Sequence, residues 1–107
     1  MRAALIAFVA AAALACAIAP SVAQNNNVPV TIDNFVFGPG RLTVKAGTTV
    51  TWTNRDEDSH TVTSTEGIFA SPALDRGETF SYRFTAPGTY AYYCALHPRM
   101  TARILVE

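Results

Sequence analysis

Four residues carry the chemistry that this sequence offers: His60, Cys94, His97 and Met100. Three of them form the pattern Cys-x-x-His-x-x-Met, and beyond residue 23 the chain has no other histidine, cysteine or methionine. A thiolate, two imidazoles and a weak thioether make a trigonal copper site, whereas zinc prefers four strong ligands in a tetrahedron. The four residues therefore predict one copper site per chain.

Each of these residues also has an ordinary structural explanation. A single methionine is usually core filling, and a single buried cysteine usually behaves as a small, inert hydrophobic residue. Chance would have to place Cys94, His97 and Met100 at this spacing in one turn between two strands. Metal binding explains the joint pattern better than three separate structural roles do.

The elements that must position these ligands are β-strands. Short segments rich in Val, Thr, Phe and Tyr alternate with Gly, Pro and Asp, which is typical of an all-β sandwich or barrel. The stretch 64–75 shows no clear strand and is left open. The predicted strands are 28–32, 41–45, 48–54, 60–63, 79–84, 89–94 and 102–106.

Alternation along these strands indicates which side chains face the core. In the segment 48–54, Val50, Trp52 and Asn54 share one face, and the threonines between them share the other. The same alternation places Cys94 at the end of a core-facing row of tyrosines. Its sulfur is therefore expected to point inward.

The ligands come from two separate parts of the chain. Cys94 closes one predicted strand, His97 and Met100 are expected in the loop that follows, and the chain returns as the strand 102–106. His60 belongs to a different strand. The site should form only when these parts meet, so metal binding is expected to stabilise the fold.

The N-terminal segment predicts an export signal. It begins with Met1-Arg2, continues as an uncharged, alanine-rich run over 3–19, and ends at a small-x-small cleavage site after Ala23. One alternative is a retained membrane anchor, because a spanning helix needs as few as about 17 residues. A lipid anchor at Cys16 is a weaker alternative. The expected location is periplasmic or secreted.

Length, charge and cysteine count narrow the function. The chain has 107 residues, enough for one domain, which is expected over 28–107 after a flexible segment at 24–27. Its formal net charge is zero, and loss of the signal makes it slightly negative, which argues against nucleic-acid binding. Loss of Cys16 leaves Cys94 without an intramolecular disulfide partner. In an exported protein this thiol then needs another role, such as metal ligation.

Longer motifs give the sequence a family resemblance. They are Phe35-x-Phe37-x-Pro39, the run Val50–Asn54, His60-Thr61-Val62, the run Gly88–Cys94 and Cys94-x-x-His97-Pro98-x-Met100. With these motifs the chain resembles the cupredoxins, or blue-copper proteins, and is most similar to the amicyanin and pseudoazurin group. The resemblance implies a Greek-key β-sandwich of seven or eight strands, with copper at one end, and a function in one-electron transfer.

The resemblance also implies a role for each ligand. Cys94 would supply the copper–sulfur bond, and His60 would be the inner imidazole. His97 would be the outer imidazole through which electrons pass, with the exit flanked by Leu96 and Pro98. Met100 would bind weakly along the axis and set the reduction potential.

Asn54 is implied to support the site from outside. Its side chain would hydrogen-bond the ligand loop and tie the His60 region to the Cys94 region. The alternative is an ordinary turn residue. Three polar residues, Asp58, Ser59 and Arg99, flank the ligands where amicyanin-like proteins are largely apolar, so the family's electron donor is not carried over to this chain.

These features predict an exported one-electron carrier. It is not expected to be an enzyme, because four ligands leave no open position for a substrate. The expected partners are redox proteins of the cytochrome c, dehydrogenase or copper reductase type. Neither nucleic acid nor a membrane span is expected, and the chain is expected to be a monomer.

A periplasmic copper-delivery protein is the alternative function, although such a protein would tend to expose further Met or His. A subunit of a larger copper enzyme is a second alternative. The acidic run 56–58 either steers a basic partner or is a solvated turn.

Overall fold

Eight β-strands follow one another in the computed structural model, which describes residues 26–107. The predicted export signal lies outside these residues. The expected flexible segment is held at its end, because the carbonyl of Asn26 accepts a hydrogen bond from the N–H of Thr49 at 2.8 Å. The strands are β1 (Asn27–Asp33), β2 (Val36–Gly38), β3 (Arg41–Val44), β4 (Thr48–Asn54), β5 (Thr63–Ser64), β6 (Thr79–Phe84), β7 (Gly88–Cys94) and β8 (His97–Val106).

The strands form two four-stranded sheets, with the orders β2-β1-β4-β6 and β3-β8-β7-β5. The pairs β1–β4 and β3–β8 are parallel, and the remaining pairs are antiparallel. This arrangement confirms the predicted all-β sandwich. The part of the chain that the structure describes contains no helix long and apolar enough to cross a membrane.

Side chains from the two sheets meet around Trp52 of β4. Its ring packs against Tyr92 of β7 with the centroids 5.4 Å apart, and its indole N–H donates a hydrogen bond of 3.1 Å to the Tyr92 hydroxyl. Burial raises the pKa of Tyr92 to about 12, although the bond from Trp52 acts in the opposite direction. The inward face predicted for β4 is confirmed, because Val50, Trp52 and Asn54 are all buried.

The hairpin of β7 and β8 turns within two residues, Ala95 and Leu96. Cys94 lies opposite His97, whereas Tyr93 lies opposite Thr101, so the register shifts and the residues between form a bulge on β8. The sequence prediction of a loop carrying His97 and Met100 was therefore wrong. Pairing with β7 resumes directly after the turn, and β8 includes both residues.

Two other elements differ from the sequence prediction. The short strand β2 was not predicted, and it pairs with β1 through a turn at Asn34 and Phe35. The strand predicted over 60–63 is reduced to a single bridge at His60 and to β5. The reason is that the stretch 64–75, for which no strand was predicted, folds back against this segment. It supplies the bridge partners, with Leu74 opposite His60.

Candidate metal centre

The centre of the predicted site is the sulfur of Cys94, at the buried end of β7. Cys94 is free, fully buried and points inward as predicted. Its Sγ lies 3.6 Å from Nδ1 of His60 and 3.6 Å from Nδ1 of His97. The three donor atoms all lie within 4.8 Å of one another. The structure thus brings together three of the four predicted ligands around one point.

The geometry of these donors fits a metal ion. An ion such as zinc makes bonds of roughly 2.3 Å to a thiolate and roughly 2.0 Å to an imidazole nitrogen, so one ion can join S and N atoms up to roughly 4.3 Å apart. The two sulfur–nitrogen distances of 3.6 Å lie inside this limit. A thiolate with two imidazoles is a soft donor set that suits copper.

His60 is fixed by the segment that folds back against it. Its N–H donates to the carbonyl of Leu74 at 3.1 Å, and its own carbonyl accepts from the N–H of Leu74 at 2.7 Å. The side chain is fully buried. The backbone bridge holds the imidazole in the core, with Nδ1 directed to Cys94.

Thr61 links the two parts of the chain that supply the ligands. Its N–H donates to Sγ of Cys94 at 3.3 Å, and its Oγ1 accepts a bond of 2.7 Å from the N–H of Ala95. The hydroxyl also bonds to Thr63 at 2.8 Å. Sequence reasoning gave Thr61 no such role, because a threonine in a strand carries no signal of a bond to a distant turn.

His97 and Met100 approach the site from β8. His97 is half-buried, and Met100 is buried at 8% exposure. The register shifts between the Cys94–His97 pair and the Tyr93–Thr101 pair, so Met100 lies in the bulge between them. Together with Phe35, Pro98 and Arg99, His97 and Met100 line an open depression at the surface.

Asn54 is buried at the end of β4 and holds the segment that leads to the inner histidine. Its Nδ2 donates to the carbonyls of Asp58 at 2.9 Å and Leu74 at 2.8 Å, and its Oδ1 accepts from the N–H of Asp56 at 2.9 Å. Both amide protons are therefore used within this segment. The predicted bond from Asn54 to the ligand loop was wrong, and Thr61 makes that link instead.

Two residues beside the site were missed as functional candidates. Asp56, from the acidic run, has its Oδ2 2.8 Å from Nε2 of His60. Phe35 packs edge-on against both imidazoles, with its centroid 4.9 Å from that of His60 and 4.8 Å from that of His97. The rest of the run faces solvent, where Glu57 pairs with Arg76.

The carboxylate of Asp56 is held in its ionised form. Desolvation raises the pKa of Asp56, but hydrogen bonds from the backbone of Phe35 and Asn34, and from His60, outweigh this and keep the pKa below its ordinary value. An ionised carboxylate accepts hydrogen bonds and donates none. The neighbouring Nε2 of His60 therefore carries a proton, and in the neutral imidazole Nδ1 is then the free ligand atom.

Known proteins resemble this chain over most of its length. The family model for the cupredoxin-like domain matches residues 4–106. Amicyanin-alpha of Methylorubrum extorquens is 38% identical, with 98% of this chain and 94% of that protein covered. Amicyanin of Paracoccus denitrificans is 34% identical over 75% of this chain, which spans 65% of that protein. Among solved structures, a purple cupredoxin from Nitrosopumilus maritimus superposes with a TM-score of 0.70 at 33% identity, covering 75% of this chain and 99% of that one.

Proposed function

Because this chain belongs to the family of cupredoxin-like domains, we propose that it is an exported blue-copper protein that carries single electrons between redox partners. One observation carries this proposal: a buried thiol lies 3.6 Å from each of two imidazole nitrogens. Copper bound at this point would accept and release one electron by cycling between Cu(II) and Cu(I). The amicyanins to which the chain is similar support the assignment.

The protein's own residues divide the work of holding the metal. Cys94 supplies a thiolate that is shielded from solvent and receives a hydrogen bond from Thr61. His60 and His97 would each supply an imidazole nitrogen, one from the core and one from the surface side. Met100, buried at the same end of the molecule, would bind the copper weakly through its thioether and tune the reduction potential.

His97 is the ligand beside which electrons would enter and leave the copper site. This ring is only half-buried, and its neighbours in the depression include Pro98 and Phe35. Leu96 in the turn is 52% exposed and Phe35 is 42% exposed. Apolar side chains around a partly exposed ligand form a small patch suited to brief docking of a redox protein.

The proposed partners are redox proteins of the cytochrome c, dehydrogenase or copper reductase type. We expect no catalytic turnover, because the ligand set offers no open position for a substrate. The N-terminal segment is proposed to direct export and to be removed after Ala23. Intact mass of the periplasmic protein would test this proposal: the chain should begin at Gln24, and recovery of the full chain in the membrane fraction would contradict it.

The carrier function is tested by placing a charge beside the proposed exit. Leu96→Lys should slow electron exchange with a c-type cytochrome, while copper content and the visible spectrum stay the same, because docking depends on the local surface. Leu105→Lys is a matched control, since Leu105 is 42% exposed and lies far along β8 from the metal ligands. Equal exchange rates in both variants would contradict the exit at His97. Rapid transfer of copper to an acceptor protein, with electron exchange too slow to compete, would support the delivery function instead.

A further inference from the structure

A single carboxylate links two separate segments at the metal end of the molecule. Oδ1 of Asp56 accepts a hydrogen bond of 2.6 Å from the N–H of Asn34, and Oδ2 accepts one of 2.8 Å from the N–H of Phe35. The same Oδ2 lies 2.8 Å from Nε2 of His60. The side chain is largely buried, with 11% of it exposed. Asp56 thus connects the β1–β2 turn to the inner histidine.

The contact with His60 decides which nitrogen faces the metal. An imidazole with its proton on Nε2 has its free electron pair on Nδ1, and the other tautomer has the reverse. Nδ1 is the atom that lies 3.6 Å from the sulfur of Cys94. Only the tautomer that donates to Asp56 presents a ligand atom to the metal.

The contacts with the turn hold Phe35 in an unfavourable backbone conformation. Asn34 and Phe35 have φ angles of 57° and 61°, as the two central residues of a tight hairpin turn require, and glycine is the usual second residue of such a turn. A bulky residue at positive φ persists only where its surroundings enforce it. Here the carboxylate accepts both N–H groups of the turn, and the Phe35 ring is seated against both imidazoles.

We propose that Asp56 is a positioning residue of the metal site. Its carboxylate fixes His60 in the tautomer that binds metal through Nδ1, and the same group holds Phe35 over the two histidines. The ligand arrangement is then built before the metal arrives. This inference rests on the proposed function, because it expects a change in copper affinity. The tautomer of His60, however, can be measured in the metal-free protein.

The test is heteronuclear NMR of the histidine rings in the metal-free protein at neutral pH. In the wild-type protein His60 should carry its proton on Nε2, and this proton should exchange with water more slowly than the ring proton of His97. A His60 ring with its proton on Nδ1 would overturn the proposal without any variant. The proposal would also be overturned if the Nε2 proton of His60 exchanged with water as fast as the ring proton of His97.

Asp56→Asn tests the carboxylate directly. An amide has one acceptor oxygen, so it cannot accept from the turn and from His60 in the same geometry. We expect a mixture of His60 tautomers, a copper affinity that is lower by roughly 10- to 100-fold, and a higher reduction potential because a negative charge beside the site is lost. Asp58→Asn removes the same charge from the same loop, and Asp58 makes no side-chain hydrogen bond within residues 26–107. Equal effects of the two variants would overturn the proposal.

A second variant separates the hydrogen bond between Asp56 and His60 from the packing of the Phe35 ring against the histidines. Phe35→Gly removes the ring and relieves the positive φ, but it leaves the carboxylate and its bond to His60. The tautomer of His60 should therefore stay the same. A shift as large as that in Asp56→Asn would assign the placement of His60 to the ring and overturn the role of Asp56. A protein that shows the Nε2 tautomer but binds no copper would contradict the proposed function and leave this inference intact.

Discussion

The backbone N–H of Thr61 donates a hydrogen bond to the sulfur of Cys94 across 3.3 Å. Thr61 directly follows His60, so the residue that contacts the sulfur is bonded covalently to a residue that supplies a nitrogen. The hydroxyl of Thr61 also accepts from the N–H of Ala95, which directly follows Cys94. Two hydrogen bonds therefore hold the pair His60-Thr61 against the pair Cys94-Ala95.

We predict that Thr61→Val destabilises the metal-free protein. Valine keeps the shape of threonine but removes the acceptor of the hydrogen bond from the Ala95 N–H, and a hydrogen bond of this kind contributes about 0.5–1.5 kcal/mol. Urea unfolding of the metal-free protein measures this loss. Thr53→Val is the control, because Thr53 is half-buried on the outer face of β4 and its side chain has no hydrogen bond within the described chain. Equal stability of the two variants would show that the hydroxyl of Thr61 contributes nothing.

We predict that Tyr92→Phe weakens the core between the sheets. The indole N–H of Trp52 donates to the Tyr92 hydroxyl in a fully buried position, so removal of the hydroxyl should cost about 1–3 kcal/mol. The same unfolding measurement reports the loss. Tyr93→Phe is the neighbouring control, because Tyr93 faces the other side of β7. A loss of stability in the control as large as in Tyr92→Phe would contradict this account.

We predict that Met100→Gln lowers the reduction potential while copper stays bound. The amide oxygen is a harder donor than the thioether and favours Cu(II). Voltammetry of the copper-loaded protein measures the change. Met100→Leu is the matched variant, since it removes the donor at similar volume and should move the potential in the opposite direction. Wild-type potentials in both variants would show that Met100 only packs near the site.

We predict that Cys94→Ser abolishes the intense colour that Cu(II) gives with the wild-type protein. The colour arises from charge transfer between the thiolate and copper, and serine provides no thiolate. A second readout is thermal unfolding: a ligand at a hundredfold excess over its dissociation constant stabilises a protein by about 2.7 kcal/mol. Copper should raise the unfolding temperature of the wild-type protein far more than that of the variant. A wild-type protein that stays colourless and prefers zinc would exclude the copper site.

The alternation of residues along the chain was enough to predict most of the sandwich. β4 and β6 have the predicted bounds, because each is a regular strand with a clear inward row. β2 was missed because it has only three residues and follows a turn with Phe35 in a position where glycine is usual. A turn that depends on a carboxylate from a distant loop leaves no local signal.

The ligands themselves could be predicted, but their supports could not. Residue type and spacing single out Cys94, His97 and Met100 as ligands. Threonine and aspartate are common residue types, so nothing in the sequence marks Thr61 and Asp56 as their supports. Their roles follow from contacts across more than 20 residues of sequence, such as the bond from Asn34 to Asp56. Asn54 was expected to bond to the ligand loop, and only the folded structure shows that its amide is used elsewhere.

The parallel pairing of β3 with β8 joins two parts of the chain that lie far apart in sequence. β3 lies at the edge of its sheet and has β8 as its neighbour there, although most of the chain separates the two strands. Sandwiches with such distant contacts fold in milliseconds to seconds. Until β8 is in place, the thiol of Cys94 is exposed to oxidants and to other thiols. The time that the chain takes to close this sheet is therefore the time during which the proposed metal-binding thiol is open to oxidation.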